Sequence, residues 1–291
     1  MTSNPTIPRR PYGRDQIPIS VLGFGGILVA GEEQPVANRR VAEAVERGVN
    51  YFDVAPQYGD AEIKLGPALQ PYRADVFLAG KTLERTRAGA AAELQRTLGR
   101  LRTDHLDLYQ LHALTDLEKD VDVAFGRGGA LETFVEAKKA GVVRHLGFSA
   151  HSVEAAMAAM ERYDFDSILF PVNFTAYFKG NFGRSVIEGA QARRMTILAL
   201  KMLCRQQWDQ GDPNRQKYSK CWYQPVTDRH EAELALRFTL GQTVTAALPP
   251  GEEPLFRLAL DLALDFRPLT GAELKELKAL ADALSPVFQR D

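Results

Sequence analysis

Short apolar runs alternate with segments of helical periodicity along nearly the whole chain. Eight runs rich in Val, Ile, Leu and Phe recur at a fairly even spacing, and most are continuously apolar. Such continuity is typical of strands that are covered on both faces by crossover helices. The runs predict strands at residues 19–24, 49–55, 76–79, 106–111, 143–148, 168–172, 196–200 and 244–248.

Amphipathic patterns fill the gaps between these runs. They predict helices at residues 35–47, 61–69, 87–100, 129–140, 152–162, 184–193 and 229–240. Asp228 and Glu231 resemble a capping box, and Gly48 and Gly141 follow helix ends, where a left-handed residue is common. Eight strands that alternate with helices predict an α/β fold, a (β/α)₈ TIM barrel, in preference to a doubly wound sheet.

Three segments lie outside the regular alternation. Residues 10–17 are expected to form an N-terminal β-hairpin at the bottom of the barrel, and two extra C-terminal helices are predicted at residues 254–264 and 270–283. The irregular segment 201–227 carries four Trp and Tyr residues, and loops of that length are uncommon unless they cover a site. We expect a lid or cofactor-covering loop there, with a merely packed or disordered loop as the alternative. One domain is expected over residues 1–291.

Composition and charge narrow the class of partner. With 45% hydrophobic and 25% charged residues the chain is typical of a globular protein. The 36 basic and 37 acidic residues balance, so no overall field exists to hold nucleic acid or an anionic membrane, and a small molecule is the expected partner. No apolar run reaches about 18 residues and none follows the N-terminal arginines, so we expect a cytoplasmic protein. The oligomeric state stays open.

The two cysteines, Cys204 and Cys221, stand in no CxxC or Cys/His spacing. No metal site is therefore predicted, and both thiols are expected to be free and structural.

Polar residues end most of the predicted strands. In a (β/α)₈ barrel the active site lies at the carboxyl ends of the strands, which converge on one rim. A single polar residue at such a position is more often a helix cap or a solvated charge, but the coincidence at several strands favours a site. The residues are Asp53, Lys81, His112, Ser149, Asn173 and Lys201, together with Tyr58 shortly after Asp53.

Four of these residues suggest proton donation to a carbonyl oxygen. The ammonium of Lys81 would lower the pKa of the Tyr58 hydroxyl, and Asp53 would keep Lys81 charged. His112 would donate a hydrogen bond to the substrate oxygen. Because no side chain can deliver a hydride, a nicotinamide cofactor is implied. A Rossmann domain is disfavoured, since Gly23, Gly25 and Gly26 lack the GxGxxG spacing.

The segments that carry these residues resemble the signature of the aldo-keto reductases over a region from residue 21 to about residue 264. The matching segments are residues 49–59 (VNYFDVAPQYG) with Glu62 and Leu65-Gly66, residues 80–82 (GKT) and residues 106–112 (LDLYQLH). By that resemblance Tyr58 is the general acid, Lys81 and Asp53 tune it, and His112 positions the carbonyl of an aldehyde, ketone or oxidised sugar. NADPH would lie across the barrel mouth.

The cofactor side departs from the family pattern. Ser149 matches the first residue of the family's Ser-Asn pair but Ala150 follows it, and Asn173 replaces a Gln. Residues 200–203 (LKML) replace a Tyr-Ser-Pro-Leu segment, so two alternatives are open: the nicotinamide ring packs on aliphatic side chains instead of a Tyr, or Lys201 contacts substrate or phosphate. Two carboxylates, Glu252 and Glu253, stand near the expected place of the adenosine 2′-phosphate. The resemblance favours NADP(H), and NAD(H) is the alternative. The residues expected on this side are Gly25, Ser149, Asn173, Leu200, Lys201, Pro249, Gly251 and Arg257.

Two other functions stay open. The first alternative is a non-catalytic or regulatory cofactor-binding barrel. The second is a lyase or isomerase that uses Tyr58 and Lys81 of the same site as acid and base. Substrate identity is not predicted, because specificity in this fold resides in loops, here residues 201–227 with Trp208 and Trp222, and His151.

Overall fold

The computed structural model describes residues 6–290. Its strands are β1 (Arg9–Tyr12), β2 (Ile17–Ser20), β3 (Phe24–Gly25), β4 (Tyr51–Asp53), β5 (Phe77–Thr82), β6 (Leu106–Leu114), β7 (Val143–Ala150), β8 (Ser167–Pro171), β9 (Thr196–Leu200), β10 (Cys204–Gln206), β11 (Gln224–Pro225) and β12 (Ala246–Leu248).

The α-helices are α1 (Gln34–Glu46), α2 (Ala61–Leu69), α3 (Arg87–Leu101), α4 (Val123–Phe125), α5 (Ala130–Lys139), α6 (Val153–Arg162), α7 (Phe174–Phe178), α8 (Arg184–Ala192), α9 (Asn214–Lys217), α10 (Arg229–Gly241), α11 (Glu253–Leu264) and α12 (Gly271–Asp282). Short 3₁₀ turns lie at Gly26–Val29 and Gln70–Asp75, and a π-helical turn lies at Leu117–Asp122. None of the helices within residues 6–290 is long and apolar enough to cross a membrane.

Eight parallel strands form the barrel. Strands β3 to β9 pair in chain order and β12 follows β9. The circle closes at the first strand, because the amide of Gly23 donates to the carbonyl of Ala247 at 3.0 Å and the amide of Ala247 donates to the carbonyl of Val21 at 2.9 Å. The predicted (β/α)₈ barrel is confirmed. The predicted single domain over residues 1–291 stays a prediction, since residues 1–5 and residue 291 lie outside the described residues.

The N-terminal hairpin of β1 and β2 closes the bottom of the barrel. Tyr12 is fully buried there, and its hydroxyl donates to Ser167 Oγ at 2.9 Å. The hairpin is longer than predicted, and it includes residues 19 and 20, which had been expected to begin the first barrel strand. The change of direction comes at Ser20, whose hydroxyl donates to the carbonyl of Leu22 at 2.7 Å and accepts from the amide of Asn50 at 3.1 Å.

The predicted end signals of the helices are present. Asp228 caps α10 by accepting a hydrogen bond from the amide of Glu231 at 2.9 Å, whereas the side chain of Glu231 accepts from Arg205 at 2.8 Å, so only half of the expected capping box forms. Gly48 and Gly141 have φ angles of 91° and 74°, a backbone conformation that is strained in residues with a side chain. The two C-terminal helices lie outside the barrel, where buried Arg237 of α10 binds both carboxylate oxygens of Glu273 on α12 at 2.8 and 2.7 Å.

The segment 201–227 is ordered rather than irregular. Strands β10 and β11 pair antiparallel and α9 lies between them, while Leu203 and Val226 are buried at its two ends. The chain after α12 packs against the same segment, since the amide of Gln207 donates to the carbonyl of Ser285 at 3.1 Å. That the segment acts as a lid stays a prediction.

Candidate active site

A cavity of about 250 Å³ opens at the carboxyl ends of the barrel strands. Its lining comes from strand ends that are distant in sequence. The residues predicted from the sequence that it brings together are Asp53, Tyr58, Lys81, His112, Gly25, Ser149, Leu200, Lys201, Pro249 and Gly251. Asn173 and Arg257 do not line the cavity.

Asp53 and Lys81 form a buried ion pair on neighbouring strands β4 and β5, each only 1% exposed. The second carboxylate oxygen of Asp53 accepts from Gln110 Nε2 at 3.1 Å and lies 3.3 Å from the Tyr51 hydroxyl. Burial, the largest single effect, would lower the pKa of Lys81, but the charge of Asp53, the influence of Tyr58 and the hydrogen bonds to both together outweigh it, and the pKa lies above its ordinary value. Lys81 is therefore a cation.

Tyr58 lies beside this pair in the segment between β4 and α2. Its hydroxyl is 3.5 Å from Lys81 Nζ, which lies 5.1 Å from the centre of the ring. Burial raises the pKa of Tyr58, and Lys81 opposes the rise without cancelling it. The net direction is opposite to the lowering expected from the sequence, because desolvation of the phenolate is the larger effect. At neutral pH the hydroxyl keeps its proton and can donate it.

His112 faces Tyr58 edge-on, with ring centres 5.9 Å apart. Burial, and then the charge of Lys81, lower the pKa of His112 to about 2, so the imidazole is neutral. Its Nδ1 lies 3.1 Å from Oε1 of the Gln57 side chain, an oxygen that accepts a hydrogen bond when Nδ1 carries the proton. Turning the Gln57 amide by 180° brings its NH₂ to Nδ1 and puts the proton on Nε2, where it can be donated to a ligand.

The end of β6 holds His112 through its main chain. The carbonyl of His112 accepts from the Arg85 guanidinium at 2.6 Å, and Asp120 pairs with Arg85 at 3.0 Å. The next residue, Ala113, has a φ of 55° and donates its amide to Ser149 Oγ at 2.8 Å. The strand runs to Leu114, beyond the predicted end at residue 111, so His112 lies within a hydrogen-bonded strand rather than in a loop.

Ser149 of the cavity wall and Asn173, which follows β8 but does not line the cavity, each carry a donor without an acceptor among the described residues. Ser149 Oγ uses an acceptor position for Ala113, which leaves its hydroxyl hydrogen free. Asn173 is 2% exposed and caps α7, because its Oδ1 accepts from the amide of Ala176 at 2.9 Å. Its Nδ2 is buried and has no hydrogen-bond partner among the described residues. A buried amide nitrogen in this state is costly unless a ligand accepts from it.

The cation predicted for the adenosine end of the cofactor is already paired. Arg257 binds both oxygens of Glu43 at 2.8 and 2.6 Å and lies 3.0 Å from Glu253. It stands away from the cavity, on the outer side of α11. The sequence shows that Arg257 is present after the last strand, but it does not show that Glu43 and Glu253 bind its guanidinium.

The other cations near this end are paired as well. Arg40 contacts Glu32 at 2.9 Å and donates to Glu253 at 2.7 Å. Lys220 Nζ lies 2.9 Å from Glu32, and the amide of Lys220 donates to Glu252 at 2.8 Å. Lys220 lines the cavity, and no feature of the sequence pattern indicated it.

Two other residues that the sequence reasoning missed, Tyr51 and Gln110, lie beneath Asp53 inside the barrel. A signal existed for both, since each stands two residues before a predicted site residue, and alternate residues of a strand share a face.

The thiols of Cys204 and Cys221 are free and buried. Burial raises the pKa of each to about 12, so both are neutral. In residues 6–290 no group of three or more His, Cys, Asp or Glu side chains is placed to hold a metal ion.

The family model described as "Aldo/keto reductase family" matches residues 21–210, a stretch that contains the cavity residues of β3 to β9. The chain belongs to the aldo/keto reductase family. It is therefore an oxidoreductase.

Relatives and solved structures agree with this assignment. The uncharacterized oxidoreductase YqkF of Bacillus subtilis is 26% identical, over 93% of this chain and 95% of its own. The aldo-keto reductase YhdN of the same organism is 28% identical over 65% of this chain and 59% of its own. The fold is similar to that of a Bacillus halodurans aldo-keto reductase in its holo form, with a TM-score of 0.74, 24% identity and coverage of 98% of this chain and 100% of that one. A Klebsiella pneumoniae aldo/keto reductase in complex with NADP and acetate gives a TM-score of 0.72 at 19% identity, with 98% of each chain covered.

Proposed function

We propose that this aldo/keto reductase reduces the carbonyl group of an aldehyde, ketone or oxidised sugar to an alcohol, with Tyr58 as the general acid. The observation that carries the proposal is the row formed by Asp53, Lys81 and the Tyr58 hydroxyl, with neutral His112 edge-on beside it. All four side chains line one cavity.

The proton of the reaction comes from Tyr58. Its pKa lies above the ordinary value, so the hydroxyl is protonated and hydrogen-bonds to the carbonyl oxygen before it transfers the proton. As the proton leaves, negative charge develops on the phenolate, and the Lys81 ammonium 3.5 Å away stabilises that charge. Asp53 keeps Lys81 charged through the cycle, since an unpaired ammonium at this depth would tend to lose its proton.

His112 orients the substrate. A neutral imidazole with its proton on Nε2 donates to the carbonyl oxygen without adding a second charge beside Lys81. The hydrogen bonds from Arg85 and to Ser149 both hold the peptide group between His112 and Ala113, which fixes the backbone that carries the ring.

The residues present fit a nicotinamide cofactor. Bound NAD(P)H supplies the hydride that the carbonyl carbon receives. The unpartnered Asn173 Nδ2 and the free Ser149 hydroxyl are donors of the kind that a carboxamide oxygen accepts. The cofactor would also pack against Gly25, Leu200, Pro249 and Gly251, which line the cavity.

The family resemblance favours NADP(H). However, Arg257, Arg40 and Lys220 are each paired with a carboxylate, and Glu252 and Glu253 add negative charge nearby. Like charges disfavour a 2′-phosphate. We therefore expect the protein to use both cofactors, with NADPH preferred by less than about tenfold in affinity.

The test is an assay of a panel of aldehydes, ketones and oxidised sugars with each reduced cofactor. Turnover is measured as the loss of absorbance of the reduced cofactor. Reduction of at least one carbonyl supports the proposal. Cofactor binding without any turnover would favour a regulatory barrel, and activity retained in protein stripped of cofactor would favour a lyase or isomerase.

A further inference from the structure

Lys201 is the lysine of the cavity that lacks a carboxylate partner. Three lysines line the cavity, and of these Lys81 pairs with Asp53 and Lys220 pairs with Glu32. Within residues 6–290 no carboxylate lies within ion-pair distance of Lys201. Of these three lysines, Lys201 is therefore the one whose ammonium has no ionic partner among the described residues.

Aromatic rings surround the ammonium of Lys201. Its Nζ lies 5.0 Å from the ring centre of Trp222 and 5.1 Å from that of Tyr223, so the faces of both rings attract the charge without neutralising it. Lys201 also has a φ of 66°, an unusual backbone for a lysine. Strained backbone at a cavity wall is a feature of functional positions.

The titratable neighbours of Lys201 leave it unpaired. They are Cys204 and Cys221, whose thiols are neutral, the hydroxyl of Tyr223, the cation Lys81, and the imidazoles of His112 and His151. Burial lowers the pKa of Lys201 to about 8, so it is still mostly a cation at neutral pH. An ammonium that is partly desolvated and has no counter-ion gains free energy from an anionic ligand.

The charge of Lys201 acts on both imidazoles of the cavity, His112 and His151. Burial and then the charge of Lys201 lower the pKa of His151 to about 4, and the same charge contributes to the lowering at His112. Both imidazoles line the cavity together with Tyr58 and Trp222. A molecule whose carbonyl oxygen meets Tyr58 and His112 thus shares the cavity with Lys201.

We propose that Lys201 binds a carboxylate of the substrate, and that this protein reduces carbonyl compounds that are also carboxylic acids. The inference rests on the proposed reductase function and narrows its substrate class to oxo acids and semialdehydes. A neutral substrate leaves the ammonium of Lys201 without a counter-ion. A site built to pair with a polar group of its substrate discriminates strongly against a compound that lacks that group.

The test compares each acid with its own ester. Succinate semialdehyde and glyoxylate, and the methyl ester of each, are assayed with wild type, Lys201→Met and Lys217→Met. Lys217 is an exposed lysine of the same segment and serves as the matched control. We expect wild type to prefer the acids by at least about tenfold in kcat/KM. Lys201→Met should reduce that ratio about tenfold or more, chiefly through KM, and Lys217→Met should preserve it.

The pH dependence has a definite sign. The preference for the acids requires protonated Lys201, so it should be full below the pKa of about 8 and should fall as the pH rises through that value. An acid-to-ester ratio of about one in wild type, or a ratio that Lys201→Met leaves unchanged, overturns the proposal.

Two further measurements separate the alternatives. If Lys201→Met raises the dissociation constants of NADPH and NADH together and slows acids and esters alike, Lys201 contacts the cofactor phosphates and the proposal is wrong. If wild type reduces no carbonyl compound, the reductase function fails, and the anion site is judged alone by tryptophan fluorescence during titration with succinate and with dimethyl succinate. Saturable succinate binding that Lys201→Met removes supports the site, and its absence in wild type overturns it.

Discussion

The two sides of the barrel mouth differ in whether the chain itself supplies the partners of their polar groups. On the side of β4 to β6, Asp53 accepts from three groups of the chain, and its partner Lys81 lies against Tyr58. On the side of β8 to β12, Asn173 Nδ2 and the ammonium of Lys201 have no hydrogen-bonding or ionic partner among the described residues. On the first side the ion pair has its partners within the chain, although Oε1 of the neighbouring Gln110 has none among the described residues; on the second side the amide of Asn173 and the ammonium of Lys201 are left for a ligand.

The difference follows from the cost of burial. A buried ion pair is tolerated only when both charges and their hydrogen bonds come from the chain itself. Donors that await a ligand must stay free, and each one costs stability in the empty protein. The proposed acid machinery is therefore preorganised, and the proposed cofactor and substrate contacts are where ligand identity is decided.

The largest effect is expected at the proposed acid. Tyr58→Phe removes the proton donor and leaves the ring, so kcat should fall by about 10²–10⁴-fold. Cofactor affinity should change little, because the Tyr58 hydroxyl is not among the proposed cofactor contacts. Tyr163→Phe, at the end of α6 and remote from the cavity, is the matched control. Steady-state kinetics and cofactor titration check both, and a Tyr58→Phe rate near wild type would remove Tyr58 from its role.

The next effect concerns stability on the same side. Lys81→Met leaves the carboxylate of Asp53 buried and uncompensated, which should lower the free energy of unfolding by about 3–5 kcal/mol. Adding Asp53→Asn removes that charge, so the double variant should be more stable than Lys81→Met alone. Denaturant unfolding measures both. A double variant less stable than the single one would contradict the assignment of the cost to the unpaired carboxylate.

On the open side, Asn173→Ser should separate helix capping from cofactor binding. A serine still caps α7, so the free energy of unfolding should change by no more than about 1 kcal/mol. Loss of the Nδ2 donor should raise the dissociation constants of NADPH and NADH by a similar factor, about tenfold, since the nicotinamide is common to both. Cofactor titration checks the result, and unchanged affinities would exclude Asn173 from the cofactor site.

The smallest effect is expected at the adenosine end. Glu253→Gln weakens two ion pairs, with Arg40 and Arg257, and removes a negative charge. The affinity for NADPH relative to NADH should rise by about threefold. Glu276→Gln, whose side chain pairs with His230 far from the cavity, is the control. If the relative affinity shifts toward NADH instead, the 2′-phosphate does not bind near Glu253.

Much of the fold and half of the candidate site could be predicted from the chain alone. Continuous apolar runs report strands buried on both faces, and the residue that ends such a run in a barrel must lie at the common rim. That is why Asp53, Lys81 and His112 could be placed together before any distance was known. The first strand was misjudged because Ile19 and Ser20 are as fully buried in the hairpin as they would be in a barrel strand, so the apolar run does not mark the boundary.

The sequence by itself determined the barrel, the family resemblance and the residues of the proposed acid set, because these depend on residue type and period. Only the tertiary structure decided the direction of the Tyr58 pKa, the pairing of Arg257 with Glu43, the free amide of Asn173 and the isolation of Lys201. Each of those depends on desolvation or on distances between segments far apart in the chain, and neither is recorded in the order of residues along one segment.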